Sequence, residues 1–166
     1  LTHDFVKSTQ AYADGDVRSA WFFANPSAGG KINMVRYERS TQVADSKKYG
    51  DPVVPMLKLS EMYLIAAECG LHNASTGIDA RTMLNELKRA RGAAEIGVLA
   101  SPSDLRREIT HEYICDFKGE GQLFYYYKRM NMTAVDDGNY NGNTIAVPAD
   151  AYTLPLPEYE KQFGYG

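Results

Sequence analysis

Pro55-Met56-Leu57-Lys58-Leu59-Ser60-Glu61-Met62-Tyr63-Leu64-Ile65-Ala66-Ala67-Glu68 is the stretch on which the fold turns. Met56, Leu59, Met62, Tyr63, Ala66, Ala67 and Gly70 recur at helical spacing, and Leu57, Leu64 and Leu71 widen the apolar side. A face that wide predicts a helix buried on several sides. Its longest apolar run, Met62 to Ala67, falls far short of the roughly 20 residues that cross a bilayer.

Downstream, His72 to Gly77 breaks the pattern, and a second helix follows with Ala80, Met83, Leu84, Leu87 and Ala90 on one face. Gly92 stands where a left-handed residue would stop it. The two make an antiparallel hairpin. Ser101-Pro102-Ser103-Asp104 announces a third helix: Ser101 can cap, Pro102 suits the first helical position, and Asp104 favours the positive N-terminal end. Leu105, Ile109, Tyr113 and Phe117 continue it at intervals of four, which puts them on one inward face. After Gly119 and Gly121, Gln122 to Met130 reads as a short aromatic helix with Lys128 and Arg129 at its end. Past Asn131 the chain is irregular, with turns at Asp137-Gly138 and Asn141-Gly142 and a short strand at Thr144 to Val147. The alternate prolines of Tyr152 to Pro157 forbid a helix there and predict an extended surface segment.

Upstream, residues 1–54 are rich in Gly, Asp and Ser, with strand-forming runs at Val17 to Ala24 and Ile32 to Glu38. Turn residues from Asn25 to Gly30 separate them, so a β-hairpin or a pair of excursions fits. The expected organisation is a loop-rich segment, 1–54, followed by a helical region, 55–166, together one structural unit. The fold class is mainly α: helical hairpins similar to the helix-turn-helix unit of tetratricopeptide repeats, with loop-rich excursions and short strands. Most signature residues of that repeat are missing.

Composition narrows the chemistry. The chain has 166 residues, 44% hydrophobic and 23% charged, with a net charge of −3 and a pI near 5.6. Nothing there attracts a phosphate backbone or an anionic lipid surface, so nucleic acid is not an expected partner. Twelve Tyr, six Phe and one Trp exceed what a small helical core needs and leave rings for stacking or subunit contacts. Cys69 and Cys115 sit in separate helices without metal or redox spacing, and read as two buried thiols. The chain opens at Leu1 without features of a leader, so its start reads as lying within a longer protein.

No catalytic constellation assembles. His111-Glu112 begins like a zinc-protease motif, but the second ligand position holds Cys115. Gly29-Gly30-Lys31 lacks the rest of a phosphate loop, and there is no Gly-x-Ser-x-Gly elbow. Asn73-Ala74-Ser75 and Asn131-Met132-Thr133 match the glycosylation sequon without further support. Lys58, Glu61 and Glu68 read as helix-registry ion pairs, with Arg89, Arg91 or Lys128 as partners, in preference to a carboxylate catalytic pair. Metal and cofactor are expected to be none, and the protein is expected not to be an enzyme.

Four blocks, in order, resemble the C-terminal portion of the SusD/RagB family of nutrient-binding outer-membrane lipoproteins. Pro55 to Glu68 is similar to the family's Arg-Leu-Ser/Ala-Glu-Met-Tyr-Leu-Ile-x-Ala-Glu helix, and Leu84 to Gly92 to its Leu-Asn-x-Leu/Val-Arg-x-Arg-Ala/Gly helix. Glu120-Gly121-Gln122 with Phe124, Lys128 and Arg129 resembles Glu-Gly-x-Arg-x-x-Asp-Leu-Lys-Arg, and Tyr152 to Glu158 resembles the closing Tyr-Leu-x-Pro-Ile-Pro-x-x-Glu. The sequence departs at Leu123, where Arg is common, at Tyr126, where Asp is common, and at Tyr113, where Arg commonly follows Glu. Those departures point to aromatic packing in place of a buried polar network.

The resemblance implies a non-catalytic subunit that binds a glycan or oligosaccharide and works with a TonB-dependent outer-membrane transporter at the cell surface. It also implies a lipid anchor outside this chain. Sugar binding needs aromatic faces for the apolar side of the ring and Asn, Asp, Arg or Gln for the hydroxyls. By composition, Trp21, Tyr12, Arg18 and Asn25 are the ligand-binding candidates, against a buried role for a Trp in an apolar strand. The rival reading is a helical-repeat adaptor that binds a peptide or protein and has no nutrient role. The extended proline tail and the loop-rich start fit that rival poorly.

Overall fold

The structure is a computed structural model and describes residues 12, 15–18, 23–24, 33–34, 55–136 and 143–164. It is mainly α. Helices α1 (Leu59–His72), α2 (Ala80–Ala90), α3 (Pro102–Phe117), α4 (Gln122–Arg129) and α5 (Glu158–Phe163) carry the body. Two short antiparallel pairs accompany them: β1 (Phe23–Ala24) with β2 (Asn33–Met34), and β3 (Ala134–Asp136) with β4 (Thr144–Ala146). Among the described residues, no helix is long and apolar enough to cross a membrane.

Local chemistry sets the helix ends. The Ser101 hydroxyl accepts from the Asp104 amide while the Asp104 carboxylate accepts from the Ser101 amide, a complete capping box ahead of Pro102. Asp79 starts α2 by accepting from the Arg81 amide and the Thr82 hydroxyl. Gly92, at φ +71°, closes it. The hairpin between α1 and α2 is tight: a Cβ on Gly70 would lie 2.5 Å from the Ile78 carbonyl oxygen, so the absence of a side chain lets the chain turn back closely.

Both α2 and α3 pack against α1, and α4 closes on α3. Their shared core holds Leu64 and Ala67 from α1, Leu84 and Leu87 from α2, and the expected quartet Leu105, Ile109, Tyr113 and Phe117 from α3, with Tyr126 from α4. The wide apolar side of α1 is only partly used. Leu64 is 0% exposed, but Leu59 is 72% exposed, and Met56, Leu57, Met62 and Ile65 also face water. Expected burial on several sides is therefore corrected to burial on one, because α2 and α3 meet the same side of α1. The helix also begins at Leu59, after Lys58 in extended conformation.

Two further differences concern the ends of the chain and the thiols. Past Asn131, β3 is a regular element in a stretch expected to be irregular, since its partner β4 supplies the ladder. Leu154 and Leu156 are exposed in the extended proline segment, which then leads into α5. Cys115 is buried as expected, whereas Cys69 is exposed because it lies on the outward side of α1.

Candidate functional site

The side chains that fix the helices relative to one another form a buried ionic network. Arg18 is 1% exposed and donates through Nη1 to Glu112 Oε2 at 2.7 Å. Its Nε and Nη2 donate to the two carboxylate oxygens of Asp16, at 3.0 and 2.6 Å. Burial alone would weaken the guanidinium charge, and the carboxylates of Asp16 and Glu112 outweigh it, so the pKa of Arg18 is raised. One turn beyond Glu112, Asp116 accepts from the Ser60 hydroxyl and pairs with Arg91 at 3.1 Å and Lys58 at 3.5 Å. Burial raises the Asp116 pKa, but Ser60, Lys58, Arg91 and Arg18 together hold it below the ordinary 3.8.

Tyr12 belongs to the same assembly. Its hydroxyl donates to the Cys115 carbonyl at 2.9 Å, and the Arg18 guanidinium carbon sits 5.6 Å from its ring centroid. The structure thus brings Tyr12 and Arg18 together against α3, with their polar groups engaged by the scaffold. Trp21 and Asn25 lie outside the described residues. The registry pairs exist, but with other partners than expected: Glu68 takes Arg129 from the end of α4, Lys58 takes Asp116 and Glu120, and Arg89 takes Glu95. Lys128 points to solvent, whereas Arg129 reaches α1 beside Tyr113.

The His111-Glu112 motif sits in this network. Glu108, His111 and Glu112 each bring a ligand atom within 4.8 Å of the others. Positive charge is already there: Lys88 Nζ lies 3.0 Å from Glu108 and 3.5 Å from Glu112, which also holds Arg18. A metal ion would have to displace both cations.

On the outer side of α3, sharing His111 with that cluster, lies a cleft of about 450 Å³, inside the range of about 300–1,000 Å³ typical of small-molecule sites. Helix α3 contributes Arg106, Arg107, Thr110, His111 and Ile114. The far wall is the β3–β4 pair, with Val135, Asp136 and Thr144, and Tyr127 and Met132 complete it. Burial pushes the Tyr127 phenol up to about 12, so it remains a hydroxyl at neutral pH. Sequence reasoning missed this cleft. Its one legible signal is the doublet Arg106-Arg107, which follows Leu105 and must face away from the core.

Residues 23–154 match the SusD family, and the chain belongs to that family. Its fold is similar to the crystal structure of a SusD-like carbohydrate binding protein from Bacteroides vulgatus ATCC 8482, with a TM-score of 0.66 and 21% sequence identity. The match covers 93% of this chain and 39% of that one, so the chain spans about two fifths of its solved relative. No curated protein matches.

Proposed function

We propose that this chain is part of a non-catalytic glycan-binding subunit of an outer-membrane nutrient-uptake system, working with a TonB-dependent transporter. The observation that carries the reading is the family match over residues 23–154. It is supported by the fold shared with a carbohydrate binding protein. On this reading the protein sits at the cell surface, held by a lipid outside this chain. Trp21 and Asn25 are proposed to contact ligand, while Arg18 and Tyr12 act by holding the loop-rich segment against α3.

The scaffold suits binding better than bond cleavage. Each carboxylate of the ionic core faces a cation, and the Cys115 thiol, pushed up to about 12 by burial, is a poor nucleophile. Affinity would come from aromatic stacking and a few hydrogen bonds. The test is a glycan array with the protein purified from its native membrane, together with identification of what co-purifies. Sugar binding without hydrolysis, and recovery of a β-barrel transporter, are expected. A peptide ligand with no sugar bound would favour a helical-repeat adaptor instead.

A further inference from the structure

We infer that the cleft between α3 and the β3–β4 pair is a seat for an acidic saccharide, one bearing a carboxylate on its ring. This rests on the glycan-binding reading and names the ligand class of a specific site. The argument starts from Arg106. Arg106 is exposed at the mouth of the cleft, and among the described residues its guanidinium has no ion-pair or hydrogen-bond partner, so it is available to a ligand, unlike the buried cations, which are matched to carboxylates. It lines the 450 Å³ cleft and also a neighbouring cavity of about 130 Å³. The two share Thr110 and Met132 as well, so Arg106 stands where they adjoin.

The rest of the cleft has the two kinds of surface a sugar requires. Ile114, Tyr127, Met132 and Val135 offer apolar area for the C–H side of a pyranose. Asp136 and Thr144 line the cleft with polar groups that can meet hydroxyls, while Thr110 and His111, which are bonded to Tyr126 and Cys115, add polar edges. Charge then selects the class. Two guanidinium groups and one carboxylate line the cleft, and Arg107 also pairs with Asp104, while Asp136 lies in the field of Lys118. A neutral sugar would leave Arg106 without an anionic partner. A ring carboxylate supplies one through charge-assisted hydrogen bonds to the planar guanidinium. Because Arg106 sits at the junction of the two cavities, an acidic unit inside an oligosaccharide can reach it with a neighbouring ring on either side.

The experiment is titration calorimetry of the full chain with trigalacturonate and a trisaccharide of glucuronate, each beside its carboxyl-reduced neutral counterpart. An acidic probe should bind at least about tenfold more tightly than its neutral match, the size of one charge-assisted contact. Arg106→Gln should remove that preference, and Arg81→Gln, on α2 away from the cleft, should leave it intact. Ala134→Trp, which fills the cleft from an exposed strand position, should abolish binding while the circular dichroism stays native. Equal binding of acidic and neutral probes, unaffected by Arg106→Gln, would overturn the acidic-sugar assignment and leave glycan binding standing. Acid-selective binding untouched by both cleft variants would place the site elsewhere. No binding of any sugar, acidic here or neutral on the array, would remove both readings.

Discussion

The rings of Tyr113 and Tyr126 stack with centroids 4.0 Å apart and planes 19° from parallel, joining α3 to α4 in the middle of the core. Arg129 extends the stack, with its guanidinium carbon 5.5 Å from the Tyr126 centroid and Nη2 donating to Glu68 at 3.0 Å. Both tyrosines are among the positions where the sequence departs from the SusD/RagB pattern, and the aromatic packing expected there is present, but alongside a buried polar network on the same helix rather than in place of one. Tyr126→Ala should destabilise the chain by about 3–5 kcal/mol through the cavity it leaves. Tyr126→Phe, which loses only the hydroxyl contact with Thr110, should cost about 0.5–1.5 kcal/mol. Urea unfolding followed by circular dichroism separates the two.

Arg18→Met leaves Glu112 and Asp116, each 1% exposed, without their deepest cation. Stranding buried carboxylates costs about 3–5 kcal/mol, so the urea midpoint should fall sharply. The double variant Arg18→Met with Glu112→Gln should be less unstable than the sum of the two singles, since the second change removes the charge that the first leaves unpaired. Simple additivity would show that the two side chains do not act together.

Asp116 should shape the acid limb of the stability curve. Its folded pKa lies below the unfolded value, so its contribution is complete above about pH 3.9 and is lost as pH falls through the lower folded value. Stability of the wild-type chain should therefore drop steeply in that acid range. Asp116→Asn, less stable at neutral pH, should show a shallower fall; an unchanged slope would reject the assignment.

The two cysteines should differ in reactivity. Cys69 is exposed, whereas Cys115 is buried with its thiol pushed up to about 12. Iodoacetamide at pH 8 should modify Cys69 in the folded protein and both thiols in urea, as read by peptide mass spectrometry.

Gly70→Ala should weaken the α1–α2 hairpin, because the added carbon meets backbone, the Ile78 carbonyl, rather than a movable side chain. A loss of about 1–3 kcal/mol is expected from thermal unfolding, despite alanine's better helix propensity.

What could be read from sequence was what local spacing determines. Ser101, Pro102 and Asp104 start α3 through contacts within one turn, and the four-residue rhythm from Leu105 to Phe117 requires only that one face be buried. Partners supplied from afar were not legible. The outward side of α1 looks as apolar in sequence as its buried side, and only the packing of α2 and α3 tells Leu64 from Leu59. The same holds for the site. Arg18 reads as one residue of the strand-forming run Val17 to Ala24, although Val17 and Arg18 are helical, and its partner Glu112 is not legible beside it; the acidic-sugar cleft likewise needs α3 and the β3–β4 pair to meet.

The Arg18–Glu112 contact also has a consequence for the order of events during synthesis. Arg18 leaves the ribosome 94 residues before its carboxylate partner. Until α3 emerges, the segment around Tyr12 and Arg18 can reach only the end of α2, where the Val17 amide donates to the Arg91 carbonyl, and the Arg18–Glu112 and Tyr12–Cys115 contacts cannot form. Closure of this latch is thus a late, long-range step, slow by the rule that distant contacts form last. A nascent chain paused before Glu112 would keep Arg18 accessible to protease, and one released after α3 would not.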